Sequence, residues 1–312
     1  MAKIKIRTKK ALKKHISISS GKSNEINIFN LGTLIQFESH AWLAVKRLRK
    51  DVAKNIDPEI ETGWVKGNKN LVSHSSLTEI KSCITEARDL ISRFALPFPI
   101  KSIAFIPKDK VNELDEALKK VREKLAGTVD DYMVFHYERE IEKAKKTLKH
   151  LWDRADYPSD LRREFSINWR FFEMVIPPGI SEDIQREESE KFKTLMEETK
   201  QMGILALREG FAEIINHLTD AIQGKLDGEA RRIRNDALDR VQQFFTEFKS
   251  KNVFGDSELE SLIAKANNIV KGVSIDSVKS DAQLAAKIND GLKIIGKELD
   301  KSTEKIRRKF TF

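Results

Sequence analysis

The prolines make the first division of this chain. All seven (Pro58, Pro97, Pro99, Pro107, Pro158, Pro177 and Pro178) lie at or before position 178. A proline inside a helix removes a backbone donor and clashes with the preceding turn, so the following 134 residues are free to form long helices. All tryptophans (Trp42, Trp64, Trp152, Trp169), all tyrosines and Cys83 also fall before that point. The expected architecture is mainly α (α+β). It has a basic flexible tail over 1–25, an α+β domain with a short sheet over 26–178, and an all-α bundle or coiled-coil region over 179–312.

The last region carries a seam. Phe211, Ile215, Leu218, Ile222, Leu226, Ala230, Ile233, Ala237, Val241, Phe244 and Phe248 follow one another at steps of three or four. That spacing predicts a helical stripe close to a heptad period. Read back to Ser181, one helix would span about 65–70 residues, and Gly224 and Gly228 argue for two. Asn252 to Gly255 reads as a turn, and Ser257 with Glu260 as a capping box for the next helix, ending near Lys271-Gly272. A last helix is expected from Asp281 to Arg308, with Leu284, Ile288, Leu292, Ile295, Leu299 and Ile306 inward. Such stripes must be buried against each other, or against another chain as in a homo-oligomer.

The first region is mixed. Thr33 to Glu38 reads as a strand, and Ala41 to Lys54 as a helix through Leu43, Lys46, Leu48 and Val52, followed by a loop to Asn70. Leu77 to Phe94 is a helix with Leu77, Ile80, Ile84, Ala87, Ile91 and Phe94 on one stripe, and Ser76 and Glu79 would cap it. Phe98 to Ile106 reads as a strand, and Lys108 to Leu151 as one helix or two broken at Gly127. After a short helix over Asp160 to Glu164, Ile167 to Ile176 reads as a final strand.

Charge is segregated. Lys3, Lys5, Arg7, Lys9, Lys10, Lys13, Lys14 and Lys22 make residues 1–24 +8, with no acid before Glu25. Residues 301–312 add +4, so with a net charge of +9 the 276 residues between carry −3. A basic tail attracts phosphate backbones through salt-screened forces, and it also serves simply as a solvated end. Arg231, Arg232 and Arg234 form a second basic patch for DNA or RNA, although Asp227, Glu229, Asp236 and Asp239 surround it. The opening has no apolar core of a secretory signal and no apolar run long enough to span a bilayer, so a cytoplasmic protein without membrane contact is expected.

No catalytic pattern stands out. Gly21-Lys22-Ser23 imitates the end of a phosphate-binding loop, but Ile16 occupies the place of its first glycine and an extended stretch comes next, so nucleotide binding is excluded there. One cysteine excludes an intrachain disulfide and a cysteine-based zinc site. His136 with Glu140, and His150 with Asp153, have helical spacings that metal ligands use, but ordinary surface ion pairs use the same spacings. No catalytic residue, metal or cofactor is assigned, and nothing favours an enzyme.

One pattern of packing residues goes further. Ile84-x-x-x-Arg88-x-Leu90-Ile91-x-x-Phe94 precedes the Phe98–Ile106 strand, and Pro107 then opens a charged helix with Leu114 and Leu118. Phe135-x-Tyr137 comes later, and the region closes on Phe165, Trp169, Phe171 and Phe172 before Pro177-Pro178. This resembles an uncharacterised family of phages, prophages and plasmids, domain-of-unknown-function family 3150, over roughly residues 26–178. The resemblance implies a setting beside a MoxR-type AAA ATPase and a von Willebrand factor A protein, and hence the role of an adaptor or substrate-recruiting subunit. Two functions are therefore expected to compete: a non-enzymatic interaction protein of a mobile element, and a nucleic-acid-binding protein that uses the N-terminal tail. A metal-dependent enzyme built on His136 and Glu140 is a third.

Overall fold

The structure is a computed structural model, and it describes residues 28–48, 67–228 and 233–308. Its organising element is the strand β1, Gly32–Ala41. Two strands flank it antiparallel: β5, Ile103–Pro107, from Gly32↔Pro107 to Gln36↔Ile103, and β6, Phe165–Phe172, from Leu34↔Phe172 to Ala41↔Phe165. The two-residue strand β4, Leu96–Pro97, completes a four-stranded sheet of order β4-β5-β1-β6. Gly32 sets how closely β1 meets β5, because a Cβ there would lie 2.1 Å from the carbonyl oxygen of Ile106.

Side chains alternate across a strand, and here each face has its own cover. Ile35, Ile106 and Ile167 point into a layer formed by α1, Thr78–Phe94, α2, Val111–Tyr132, and α3, Glu138–Leu148, where Ile80, Ile84, Leu114 and Leu118 are buried. Leu34, Leu96 and Phe105 point the other way, into a core with Phe211, Ile215, Val241, Leu259 and Leu292. That second core belongs to α4, Glu182–Leu226, α5, Ala237–Lys251, α6, Ser257–Val270, α7, Ile275–Ser280, and α8, Ala282–Arg307. The mainly α architecture with a small antiparallel sheet is therefore as expected from the sequence.

The helical seam divides near Gly228, whereas Gly224 lies inside the helix and does not break it. The 45-residue α4, about 68 Å long, ends at Leu226, and Gly228 comes next but one with a φ of +78° that only glycine adopts without strain. Ile233 is buried although it lies between α4 and α5, so the stripe continues into the core while the helix does not. Phe211 stacks on Phe244 with centroids 5.4 Å apart, which packs α5 on α4. The turn into α6 is fixed by a buried charge pair. Arg208 on α4 donates through Nε and Nη2 to the carboxylate of Asp256 at 2.7 and 2.8 Å, and also reaches Glu258. Desolvation works against the guanidinium charge there, but the bonds to Asp256 and Glu258 outweigh it and hold the pKa above its ordinary value.

Several local expectations need correction. Residues from Ala41 onward do not start a helix: Val45–Arg47 is a strand, β2, paired antiparallel with β3, Asn68–Asn70, which also replaces the end of the expected loop. The helical spacing misled because Leu43 is 74% exposed and faces no core; residues 49–54 lie outside the described residues. The stretch 98–106 is not one strand: residues 98–102 are the turn of a hairpin between β4 and β5, and the final strand is Phe165–Phe172. Gly127 does not interrupt α2; the irregularity comes later, as a π-helical turn over Met133–Tyr137 that runs on into α3. Neither proposed capping box forms. The Ser76 hydroxyl bonds the Tyr132 hydroxyl instead, and Asp256, one residue before Ser257, caps α6 by accepting from the Leu259 amide.

Candidate interaction surface

Among the described residues, those singled out for chemistry do not converge. Lys3, Lys5, Arg7, Lys9, Lys10, Lys13, Lys14 and Lys22 lie outside the described residues, as do Gly21, Arg231 and Arg232. Arg234 is described: its Nε lies 3.4 Å from Asp236, which also pairs with Arg240, so acids offset this part of the basic patch. His136 does not face Glu140 as a fellow ligand. Its ring stacks on Tyr132, while Glu140 accepts from both the amide (2.7 Å) and the hydroxyl of Ser73. Burial pushes the Glu140 carboxyl up, but the two Ser73 bonds and Lys143 prevail and hold it below the usual range. Asp153 is likewise occupied, accepting from the Ala155 amide. Among the described residues no three His, Cys, Asp or Glu side chains could hold a metal ion, and Cys83 is buried. No helix among them is long and apolar enough to cross a membrane.

What the structure does present is exposed apolar side chains beside buried tyrosines. The π turn between α2 and α3 sends Tyr132 and Tyr137 inward, and the Tyr137 hydroxyl donates to the Pro158 carbonyl at 2.7 Å. Burial pushes the Tyr137 hydroxyl far above its ordinary pKa, so it remains a donor. The extra residue that a π turn inserts shifts the helical register from that point onward. Here it leaves two consecutive apolar side chains, Val134 and Phe135, 68% and 57% exposed. The corner between β1 and β2 touches the same turn, as Trp42 meets Tyr137 edge-on at 6.1 Å. That corner carries two more exposed apolar residues, Leu43 and Val45.

The sequence pointed to Phe135 and Tyr137 only as packing residues. The buried half of that reading is right for Tyr137, while Phe135 faces solvent. An uninterrupted α-helix would keep Phe135, three residues after the buried Tyr132, toward the inward side, and the π turn gives that side to Tyr137 instead.

No curated protein and no solved structure matches the chain. A family model does, over residues 31–284, spanning both sheet and bundle. With a mixed sheet-and-helix body, packing residues in the expected order and a match across most of its length, the chain belongs to the family described as protein of unknown function (DUF3150).

Proposed function

We propose that this is a non-enzymatic interaction protein, an adaptor of a phage or other mobile element. The observation that carries the reading is the π turn, where Val134 and Phe135 stand exposed on a backbone fixed by the buried Tyr132 and Tyr137. Apolar and aromatic side chains presented from a rigid scaffold are the anchors that protein interfaces use. The partner we propose is the one the family resemblance implies, a MoxR-type AAA ATPase acting with a von Willebrand factor A protein. Co-expression with those proteins, followed by size-exclusion chromatography, should give a complex. The Val134→Ser/Phe135→Ser variant should release it. A protein that ignores both partners, or a complex indifferent to that variant, would count against the reading.

A second reading rests on the charge of residues 1–24, +8 with no acid. A tail that binds DNA or RNA would show affinity that falls steeply with salt and falls again when those residues are deleted. Salt-insensitive binding would eliminate it.

A further inference from the structure

The two edges of the sheet are treated differently. The β4 edge is two residues long, ends in Pro97 and has α4 packed against it. The β6 edge is eight residues long, contains no proline and has no strand beyond it among the described residues. Native proteins generally shorten, cover or interrupt an edge, because its unpaired amides and carbonyls are a template for another strand. The open β6 edge is also not bare. A groove runs beside it, between Ser166 to Asn168 on the strand and one ridge of α2 formed by Arg122, Ala126 and Val129.

The ridge has a size and a charge. Arg122 to Val129 is about two helical turns, roughly 11 Å, or about three to four residues of extended chain. Ala126, in the middle, is exposed and gives only a methyl group, so the groove is open at its centre. Arg162, the groove's other cation, is engaged by Asp130 at 2.6 Å and by Asp160. Arg122 is different. Its guanidinium sits 4.8 Å over the Trp169 ring, within the field of Asp115, and among the described residues it closes no salt bridge. Asp115 itself is taken by Lys119 at 2.6 Å and by the Trp169 indole N–H at 2.8 Å. An arginine stacked on an aromatic ring with no bound acid of its own is set to accept a carboxylate.

We propose that the β6 edge and the α2 groove beside it bind an extended acidic peptide segment of a partner protein, which adds to the sheet as a fifth strand. Main-chain bonds to β6 supply affinity, a small apolar side chain sits against Ala126, and a carboxylate pairs with Arg122. This inference rests on the interaction-protein reading, but it uses a surface separate from the π turn.

The test uses the full chain and three fluorescent peptides of about nine residues: alternating Val and Glu, alternating Val and Lys, and the Val–Glu peptide with a central proline. Fluorescence anisotropy should show saturable binding of the Val–Glu peptide, with the other two at least about tenfold weaker. Arg122→Glu should reverse the preference between the Glu and Lys peptides. Ala126→Trp should close the groove and abolish binding of all three, with an unchanged circular dichroism spectrum, since Ala126 is exposed. Equal binding of the three peptides, no binding, or full binding by Ala126→Trp would overturn the inference. So would a dimer in light scattering that Ala126→Trp dissolves, because a second copy would then be the occupant. A Phe135-dependent complex with the ATPase alongside failed peptide binding would sink this inference alone, whereas loss of that complex with intact peptide binding would sink the partner assignment and leave the groove.

Discussion

Truncating Arg208 to alanine strands a buried carboxylate. The side chains of Arg208 and Asp256 are each 4% exposed, and their two contacts are 2.7 and 2.8 Å. Asp256 cannot turn away to water, because it also holds the first turn of α6 through the Leu259 amide at 3.0 Å. Breaking a buried pair from one side costs about 3–5 kcal/mol. Glu258 offers little relief, since its side chain is 64% exposed and solvated without the arginine. A protein of ordinary stability, about 5–15 kcal/mol, would lose about a fifth of it or more. Removing both charges is milder: in Arg208→Met/Asp256→Asn the amide oxygen still caps α6 and no ion is left buried. The double variant should therefore be more stable than Arg208→Met alone, and the cycle of Arg208→Met, Asp256→Asn and the pair should show a coupling of at least about 2 kcal/mol. Urea denaturation followed by circular dichroism measures all of these, with the denaturant slope checked for constancy. A loss under about 1 kcal/mol for Arg208→Ala, or additive effects in the cycle, would refute the argument.

Other consequences can be checked with the same assay. Glu140→Gln should cost about 2 kcal/mol at neutral pH, the scale of a hydrogen bond to a charged group. Because Glu140 is held below the ordinary carboxylate range when folded, its contribution is present above about pH 4.3 and is lost as pH falls through its folded pKa. The variant should lack that part of the acid destabilisation, and an identical pH profile would contradict the Ser73 contact. Gly32→Ala should cost about 2–3 kcal/mol by forcing β1 away from β5, visible as a lowered urea midpoint. Phe211→Ala, at a fully buried ring stacked on Phe244, should cost about 3–5 kcal/mol, whereas Phe135→Ala should stay within about 0.5 kcal/mol. Comparable losses for the two would mean that Phe135 is not free surface.

The helices were legible where one face repeats over many turns. The stripes Leu77 to Ala87 and Ile288 to Leu299 bury the residues their period selects, with Ile91 and Phe94 half-buried at the end of the first, because a helix's inward face is a local property. What escaped was decided at long range or by one residue. Val45–Arg47 is a strand because it pairs with Asn68–Asn70, and nothing within residues 41–54 encodes that partner. Asp256 outcompetes Ser257 as a cap because its position is shared with Arg208, forty-eight residues earlier. The π turn has no periodic signature at all, and it decides which of Phe135 and Tyr137 meets solvent. The charged tail was plain in the sequence, while the β6 edge needed the strand order, in which it has a neighbour on one side only among the described residues.

The central strand also fixes an order of events during synthesis. Leu34 pairs with Phe105 and with Phe172, so β1 leaves the ribosome long before its second neighbour exists. Even then, Leu34 and Phe105 lack the helical part of their core, whose first buried member is Leu207 on α4 and whose Phe254 meets the Phe105 ring. Once β5 has joined β1, the nascent chain carries a half-built sheet with one apolar face wet for about a third of translation, the kind of intermediate that aggregates or recruits a chaperone. Yield in the cell should therefore respond to how fast residues 173–211 are translated, a dependence that a finished and stable fold would conceal.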